Sequence, residues 1–303
     1  MKVKFWGVRG SIPCPGPNTV KYGGNTTCIE IRPASERLFI IDAGTGIRAL
    51  GEHLLRTDIK NGLRELDIFL SHTHWDHILG FPFFGPMYIP GMTIRIHGPV
   101  TFEQDSLEKV LKGQFEYRYF PVRVEELASK IRFIELGEDV FQLGDGVRLI
   151  TKYLNHPISC MGYRFECGGK SVATVFDTEP YQNLFALDAM NPAYDPDVAA
   201  EAEGAVIEQN CLVEKFFAGA DLVIHDAQYT AKEYPAKIGW GHSAMQDVIA
   251  SCERNEVKRL AMMHHDPERT DAQLDALSKT LCAAKSSSGM RTIFAREGME
   301  IEL

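Results

Sequence analysis

The stretch Ser71-His72-Thr73-His74-Trp75-Asp76-His77 constrains this chain more than any other. It packs three imidazoles and a carboxylate between His72 and His77. Leu66 to Leu70 runs directly before it and reads as a buried strand ending near His72. Side chains on a strand repeat with period two, so His72 and His74 are expected to point the same way and reach one metal ion together. Asp76 and His77 are adjacent and join that cluster only if the chain changes direction. A second ion beside the first is therefore expected. Imidazole and carboxylate donors suit zinc, manganese or iron alike.

The 303 residues admit one large domain or two ordinary ones. A charge of −9, from 32 basic and 41 acidic residues, argues against a general polyanion binder. Nucleic-acid affinity leans on Lys and Arg releasing counterions, so nucleic acid is not an expected partner. The seven cysteines are odd in number and form no Cys-x-x-Cys, which suggests reduced thiols in a cytoplasmic protein. Met1 to Gly7 reads as a first strand, not a signal peptide. No run of about 18 apolar residues exists, so no membrane span is expected.

Gly7 to Gly24 is rich in Gly and Pro and reads as a long ordered loop. Cys28–Arg32 and Leu38–Asp42 read as a hairpin, followed by helical spacing at Ile47, Leu50 and Leu54. Further strands are expected at 93–97, 131–134, 147–154, 162–166, 171–176, 222–225, 259–263, 292–294 and 300–303. Helices are expected at 102–111, at 243–254 with Ser243 as N-cap, and at 270–285. Gln114 to Val122 is either a core-covering loop or a wall of a cleft. The Ser286-Ser287-Ser288-Gly289 run lies too near the C-terminus to divide domains. Strand-rich halves, each followed by helices, point to a single α/β domain over 1–303 with two sheets. Residues 181–210 read as an exposed insertion.

The His72–His77 stretch resembles the His-x-His-x-Asp-His signature of the metallo-β-lactamase superfamily. That resemblance implies an αββα four-layer sandwich of two mixed β-sheets with helices outside. It also implies later ligands in a set order, and candidates follow predicted strands: His156, Asp177 and His264. The implied set is His72, His74 and His156 on a first divalent ion, Asp76, His77 and His264 on a second, and Asp177 bridging. The ions are expected to be Zn2+, with Mn2+ or Fe2+ as alternatives. His265 competes with His264, and the family pattern favours His264. Asp42 matches an early strand-end aspartate that would orient a ligand.

Gly241-His242-Ser243 is similar to an element of the phosphodiesterase branch, which includes tRNA 3′-processing endonucleases and cyclic phosphodiesterases. Gly7-Val8-Arg9-Gly10-Ser11 and Gly23-Gly24-Asn25-Thr26 resemble its opening. The resemblance implies His242 as general acid or phosphate contact, with Asp76 also catalytic. The implied reaction is hydrolysis of a small phosphodiester, such as a cyclic nucleotide, by metal-bound hydroxide. Alternatives are tRNA 3′ processing, a lactonase or thioesterase activity, and a non-catalytic metal-stabilised sensor. The Arg9 guanidinium could meet a phosphate or lie on the surface. His53 and His97 read as structural, and His225-Asp226 could approach the site. Homodimerisation is implied only by the resemblance.

Overall fold

The computed structural model describes residues 1–33, 37–101, 105–185, 190–282 and 289–303. The first sheet contains Lys2–Gly7 (β1), Cys28–Arg32 (β2), Phe39–Ile41 (β3), Glu65–Phe69 (β4), Thr93–Pro99 (β5), Lys130–Leu136 (β6) and the C-terminal Glu300–Glu302 (β14). The second contains Val140–Gly144 (β7), Val147–Leu154 (β8), Cys160–Cys167 (β9), Lys170–Val175 (β10), Leu222–Asp226 (β11), Arg259–Met263 (β12) and Arg291–Phe294 (β13). Their orders are β14-β1-β2-β3-β4-β5-β6 and β13-β12-β11-β10-β9-β8-β7. Each sheet is mixed: β3 to β6 run parallel in the first, and β10 to β13 in the second.

Alternation along the strands sorts side chains into layers. In β4, Leu66 and Ile68 face outward onto Gly46–Arg56 (α1) and Leu107–Gly113 (α3), meeting Ile47, Leu50, Leu54, Leu107 and Leu111. Phe69 faces the other way, into the space between the sheets. There it meets Phe165 edge-on at 5.2 Å, while Phe39 stacks on Phe165 at 5.1 Å. On the far side, Val175, Val223, Leu260 and Met262 pack under Met245–Arg254 (α5), Asp271–Leu281 (α6) and the last turn of Pro196–Phe217 (α4). The result is the expected order of helices, sheet, sheet, helices.

The parallel strands place the ends of β3 and β4 on one edge of the first sheet, and those of β10, β11 and β12 on one edge of the second. Loops at these carboxyl ends are where an open α/β sheet offers a site.

Several expectations are corrected. Strand β4 stops at Phe69, short of His72. Ser243 is not the N-cap of α5: Ala244 holds that place, and the Ser243 hydroxyl donates to the Thr178 carbonyl at 2.6 Å. Edge strand β7 was not foreseen, because its half-exposed residues lack a clean apolar alternation. In the 114–122 stretch, Phe115 is buried against Phe81 and Phe120, whereas Tyr117 and Tyr119 are exposed. The start of the helix expected from Phe102, the end of that expected to Lys285, and the Ser286–Ser288 run lie outside the described residues. So does part of 181–210, where α4 begins with exposed turns. Among the described residues, no helix is long and apolar enough to cross a membrane.

His53 and His97 are structural, as expected. His53 lies 5.3 Å from the Trp6 ring. His97 stacks on Phe69 and bonds to buried Asp67 at 2.9 Å. Asp67 also accepts from both Arg95 Nε (2.7 Å) and Arg37 Nη2 (3.0 Å). Burial works against a charged Asp67, but the bonds from Arg95 and His97 outweigh it and hold its carboxyl well below the usual range. Its contribution to stability is therefore full above the unfolded value of about 4 and is lost as pH falls towards the lower folded value. Asp67→Asn should cost about 3 kcal/mol at neutral pH. It should also flatten the decline of Tm below about pH 4. A variant whose Tm falls with acid as steeply as the parent's would count against this account.

Candidate metal centre

From Leu70 the chain leaves the sheet, and the His72–His74 segment is a loop. The two imidazoles therefore meet because the loop folds, not because of strand pleat. The chain then enters a single turn of helix, Trp75–Ile78 (α2), which carries Asp76 and His77. This is the change of direction the adjacency of these residues demands.

All seven predicted ligands come together as two groups. His72, His74, His156 and Asp177 form one, and Asp76, His77, Asp177 and His264 the other; within each, donor atoms lie within 4.8 Å of one another. Asp177 belongs to both. His74 Nδ1 is 3.0 Å from His156 Nε2, and His72 Nε2 is 3.5 Å from Asp177 Oδ2. His77 Nε2 is 3.1 Å from Asp177 Oδ2, and His264 Nε2 is 3.0 Å from Asp76 Oδ2 and 3.3 Å from Asp177 Oδ1. Donors about 2.0–2.1 Å from a tetrahedral ion stand about 3.3 Å apart, so these separations are those of a shared coordination sphere.

Hydrogen bonds set the direction of four of the five rings. His77 Nδ1 donates to Asp42 Oδ2 at 2.7 Å, His264 Nδ1 to Gln228 Oε1 at 2.9 Å, and His156 Nδ1 to the Gly241 carbonyl at 3.0 Å. Ser71 donates its hydroxyl proton to Asp42 Oδ2, leaving its oxygen free to accept from His72 Nδ1 at 3.0 Å. The opposite nitrogens of these rings thus present lone pairs to one another and to two carboxylates. His72 Nε2, His77 Nε2 and Asp177 Oδ1 are buried without a hydrogen-bond partner. Lone pairs facing lone pairs out of water call for positive charge, and three nitrogens with one oxygen in the first group and two nitrogens with two oxygens in the second suit divalent zinc, manganese or iron.

The demand for positive charge shows in the titration of these groups. Burial disfavours charge at Asp177, yet His264, His77 and His72 outweigh it and hold its carboxyl well below the usual range. Burial also pulls His77 down, but Asp177, Asp76 and Asp42 raise it well above an ordinary imidazole. His156 is carried to about 4, chiefly by burial.

Backbone strain aims three of these side chains. Asp42 (φ 61°), Asp177 (φ 44°) and His264 (φ 58°) all adopt the left-handed conformation just beyond a strand end. Each costs about 1–2 kcal/mol, the sort of strain that collects at functional sites.

The family profile described as "Beta-lactamase superfamily domain" matches residues 37–265. The chain belongs to this superfamily. It is a hydrolase with the metallo-β-lactamase fold. Ribonuclease Z of Staphylococcus aureus (strain Newman) is 25% identical over 305 aligned positions, covering 93% of this chain and 94% of that protein. The metallo-β-lactamase fold protein YhfI from Bacillus subtilis superposes with a TM-score of 0.65 at 17% identity, covering 100% of this chain and 98% of that one. A diphosphatase of the PhnP family gives 0.63 at 18% identity, covering 100% and 97%.

Two further residues complete this superfamily site. Asp226 ends β11, is fully buried, and accepts from His242 Nδ1 at 3.0 Å. His225, its neighbour, turns away towards Phe217. Gln228, which orients His264, had no signal in the sequence, since a lone glutamine in a loop has no motif. His242 is nearly buried and stacks on His264 at 4.8 Å, with His156 at 5.6 Å, so it overlooks both groups. Burial opposes its charge, but Asp226, then Asp177 and Asp76, raise it to about 9. His265 points away and bonds to the Ala295 carbonyl at 2.8 Å.

Arg9 corrects both expectations made for it: it is neither a phosphate contact nor a surface residue. It is fully buried, with its guanidinium donating to the carbonyls of Gly23, Asp266 and Arg269. It thereby ties the glycine-rich loop to the segment after His264. The next two residues touch the second group. A Cβ on Gly10 would stand 2.3 Å from His264 Nδ1, and Ser11 N donates to Asp76 Oδ2 at 2.7 Å.

Protein purified without chelator should contain about two divalent ions per chain, and Asp177→Ala should lower occupancy of both positions. A metal content unaltered in that variant would remove Asp177 from the centre. Arg9→Lys, which loses the forked donor set, should weaken the ion on Asp76, His77 and His264 more than its neighbour. Stepwise release to a competing chelator, followed by elemental analysis, measures this; equal weakening of both ions would show only general damage.

Proposed function

We propose that this hydrolase cleaves a small phosphodiester, such as a cyclic nucleotide, at a dinuclear centre. His72, His74 and His156 would hold one ion, Asp76, His77 and His264 the other, with Asp177 between them and Asp42 orienting His77. When bound, such ions supply Lewis acidity and an activated water. Zinc is our first assignment, because it commonly accepts four-donor sets of imidazole and carboxylate, three nitrogens with one oxygen at the first position and two of each at the second.

The observation that carries this reading is His242 beside Asp226. Against the effect of burial, Asp226 raises the pKa of this ring to about 9, which favours the form that carries both protons. Asp226 takes its Nδ1 proton in a hydrogen bond, leaving the Nε2 proton for transfer. Hydrolysis of a diester breaks one P–O bond as water oxygen joins phosphorus. The leaving alkoxide then needs a proton, which His242 Nε2 supplies, while its positive charge attracts the phosphate beforehand. A lactone or thioester would make less use of a buried imidazolium over both ions.

A second reading, tRNA 3′ processing, is favoured by the ribonuclease Z relatives, which align over 93% of the chain. The expectation that nucleic acid is not a partner rests on the acidic net charge and on the sequence offering no separate basic, glycine-rich arm, and those relatives count against it.

A panel of cyclic nucleotides, nitrophenyl phosphodiesters, lactones and precursor tRNA separates these readings. Turnover of small diesters is expected; cleavage of precursor tRNA alone would replace the first reading with the second. His242→Ala should keep its metal and lose about 100-fold or more on a cyclic nucleotide. It should lose far less on a nitrophenyl diester, whose phenolate leaves without a proton. Equal losses on both substrates would defeat the general-acid role.

A further inference from the structure

The chain has three tryptophans. Trp6 is half-buried and donates its indole proton to Glu30 at 2.8 Å. The other two are exposed, Trp75 by 64% and Trp240 by 57%. Both are next in sequence to residues of the candidate centre. Trp75 is the residue between His74 and Asp76, so its neighbours belong to different ion groups. Trp240 precedes Gly241, whose carbonyl holds His156, and His242 follows. Two contacts of 3.0 Å, from His74 to His156 and from His156 to Gly241, connect the two backbone positions across the centre.

The surroundings favour a ligand of mixed character. Ile12 follows the Ser11 amide that bonds Asp76, and it is 57% exposed. Ile238, two residues before Trp240, is 51% exposed. The residues that flank the centre in sequence thus supply an apolar and aromatic rim, while the floor holds the ion ligands and the nearly buried His242. Lys237 Nζ lies 4.0 Å from the centre of the Trp240 ring, which puts a cation on one face of that indole. Among the described residues, no aromatic ring stacks on either exposed indole. An anionic head for the floor and a flat π-system for the rim describe a nucleotide. Base–indole stacking is indifferent to which base is present, because every base has a π-face.

We propose that Trp75 and Trp240 form a base-binding subsite, so that the diester cleaved here carries a nucleobase next to the scissile phosphate. This rests on the phosphodiesterase reading. It adds a reason for preferring nucleotides over simple alkyl diesters. The base could belong to a cyclic mononucleotide or to the unpaired end of an RNA strand.

The test uses metal-loaded protein and two substrates: a cyclic nucleotide, and the same cyclic ribose phosphate with methoxy in place of the base. Trp75→Ala and Trp240→Ala should each lower kcat/KM on the nucleotide about 10-fold relative to the base-free substrate, mainly through KM. Phe at either position should restore much of that preference. A short single-stranded RNA, assayed in parallel, tells which source of base is used. Quenching of tryptophan fluorescence by AMP, but not by ribose 5-phosphate, is expected in the parent and reduced in both variants. If the base-free substrate is cleaved as well as the nucleotide and AMP quenches nothing, the subsite is overturned while phosphodiester cleavage stands. If no diester is turned over yet AMP quenches as expected, the reaction is wrong and the subsite remains.

Discussion

Everything around the centre follows from an electrostatic conflict built into it. Asp76 and Asp177 point their carboxylate oxygens at Nε2 of His77, His72 and His264, out of reach of water. Acceptor opposes acceptor, and the arrangement is stable only with positive charge among them. A carboxylate shared by both groups also lowers the repulsion between two divalent ions, which an amide at Asp177 would not do. Four of the five rings are turned to create this conflict: Asp42, Ser71, Gln228 and the Gly241 carbonyl take up the other nitrogens of His77, His72, His264 and His156.

The fold's part is to bring distant segments to one edge. Loops after β3 and β4 belong to one sheet, and those after β8, β10, β11 and β12 to the other. A core of interleaved apolar side chains, with Phe39, Phe69 and Phe165 in contact, locks the two sheets together. Glycine matters at two contacts where a side chain cannot fit. A Cβ on Gly241 would lie 2.2 Å from His156 Nδ1, and Gly241 itself has φ 79°; Gly10 makes the corresponding approach to His264. Arg9 then closes the strap, using a buried guanidinium to gather three backbone carbonyls.

The same centre separates positioning from chemistry. Asp226 and His242 form a pair whose members face different tasks: Asp226 is wholly enclosed and holds charge in place, while His242 lies at the mouth over both groups. The tryptophans stand further out, exposed beside residues that are almost entirely enclosed. A gradient from charged floor to aromatic rim is what a ligand with one anionic end and one flat end would fit.

Much of the architecture was legible in the chain, because strands with one face towards a neighbouring sheet and one towards helices carry strong apolar runs. Strands β8 and β12 have the expected bounds, and the hairpin of β2 and β3 was visible from its polar turn. That the seven candidates would cluster was legible because metal chemistry restricts the residue types, and because each candidate follows a strand. What could not be read depends on which surfaces meet. Arg9 looks like any arginine in a loop until carbonyls from residues 23, 266 and 269 surround it. Asp226 and Gln228 act through hydrogen bonds to His242 and His264, so their roles exist only once those partners are in place. The meeting of His72 with His74 was expected from strand pleat, but a loop brings it about. Residue identity set the kind of chemistry, since ligand atoms are a local property of side chains. Tertiary packing alone decided their distances, ring orientations and enclosure, since those depend on segments as much as about 190 residues apart closing on one another.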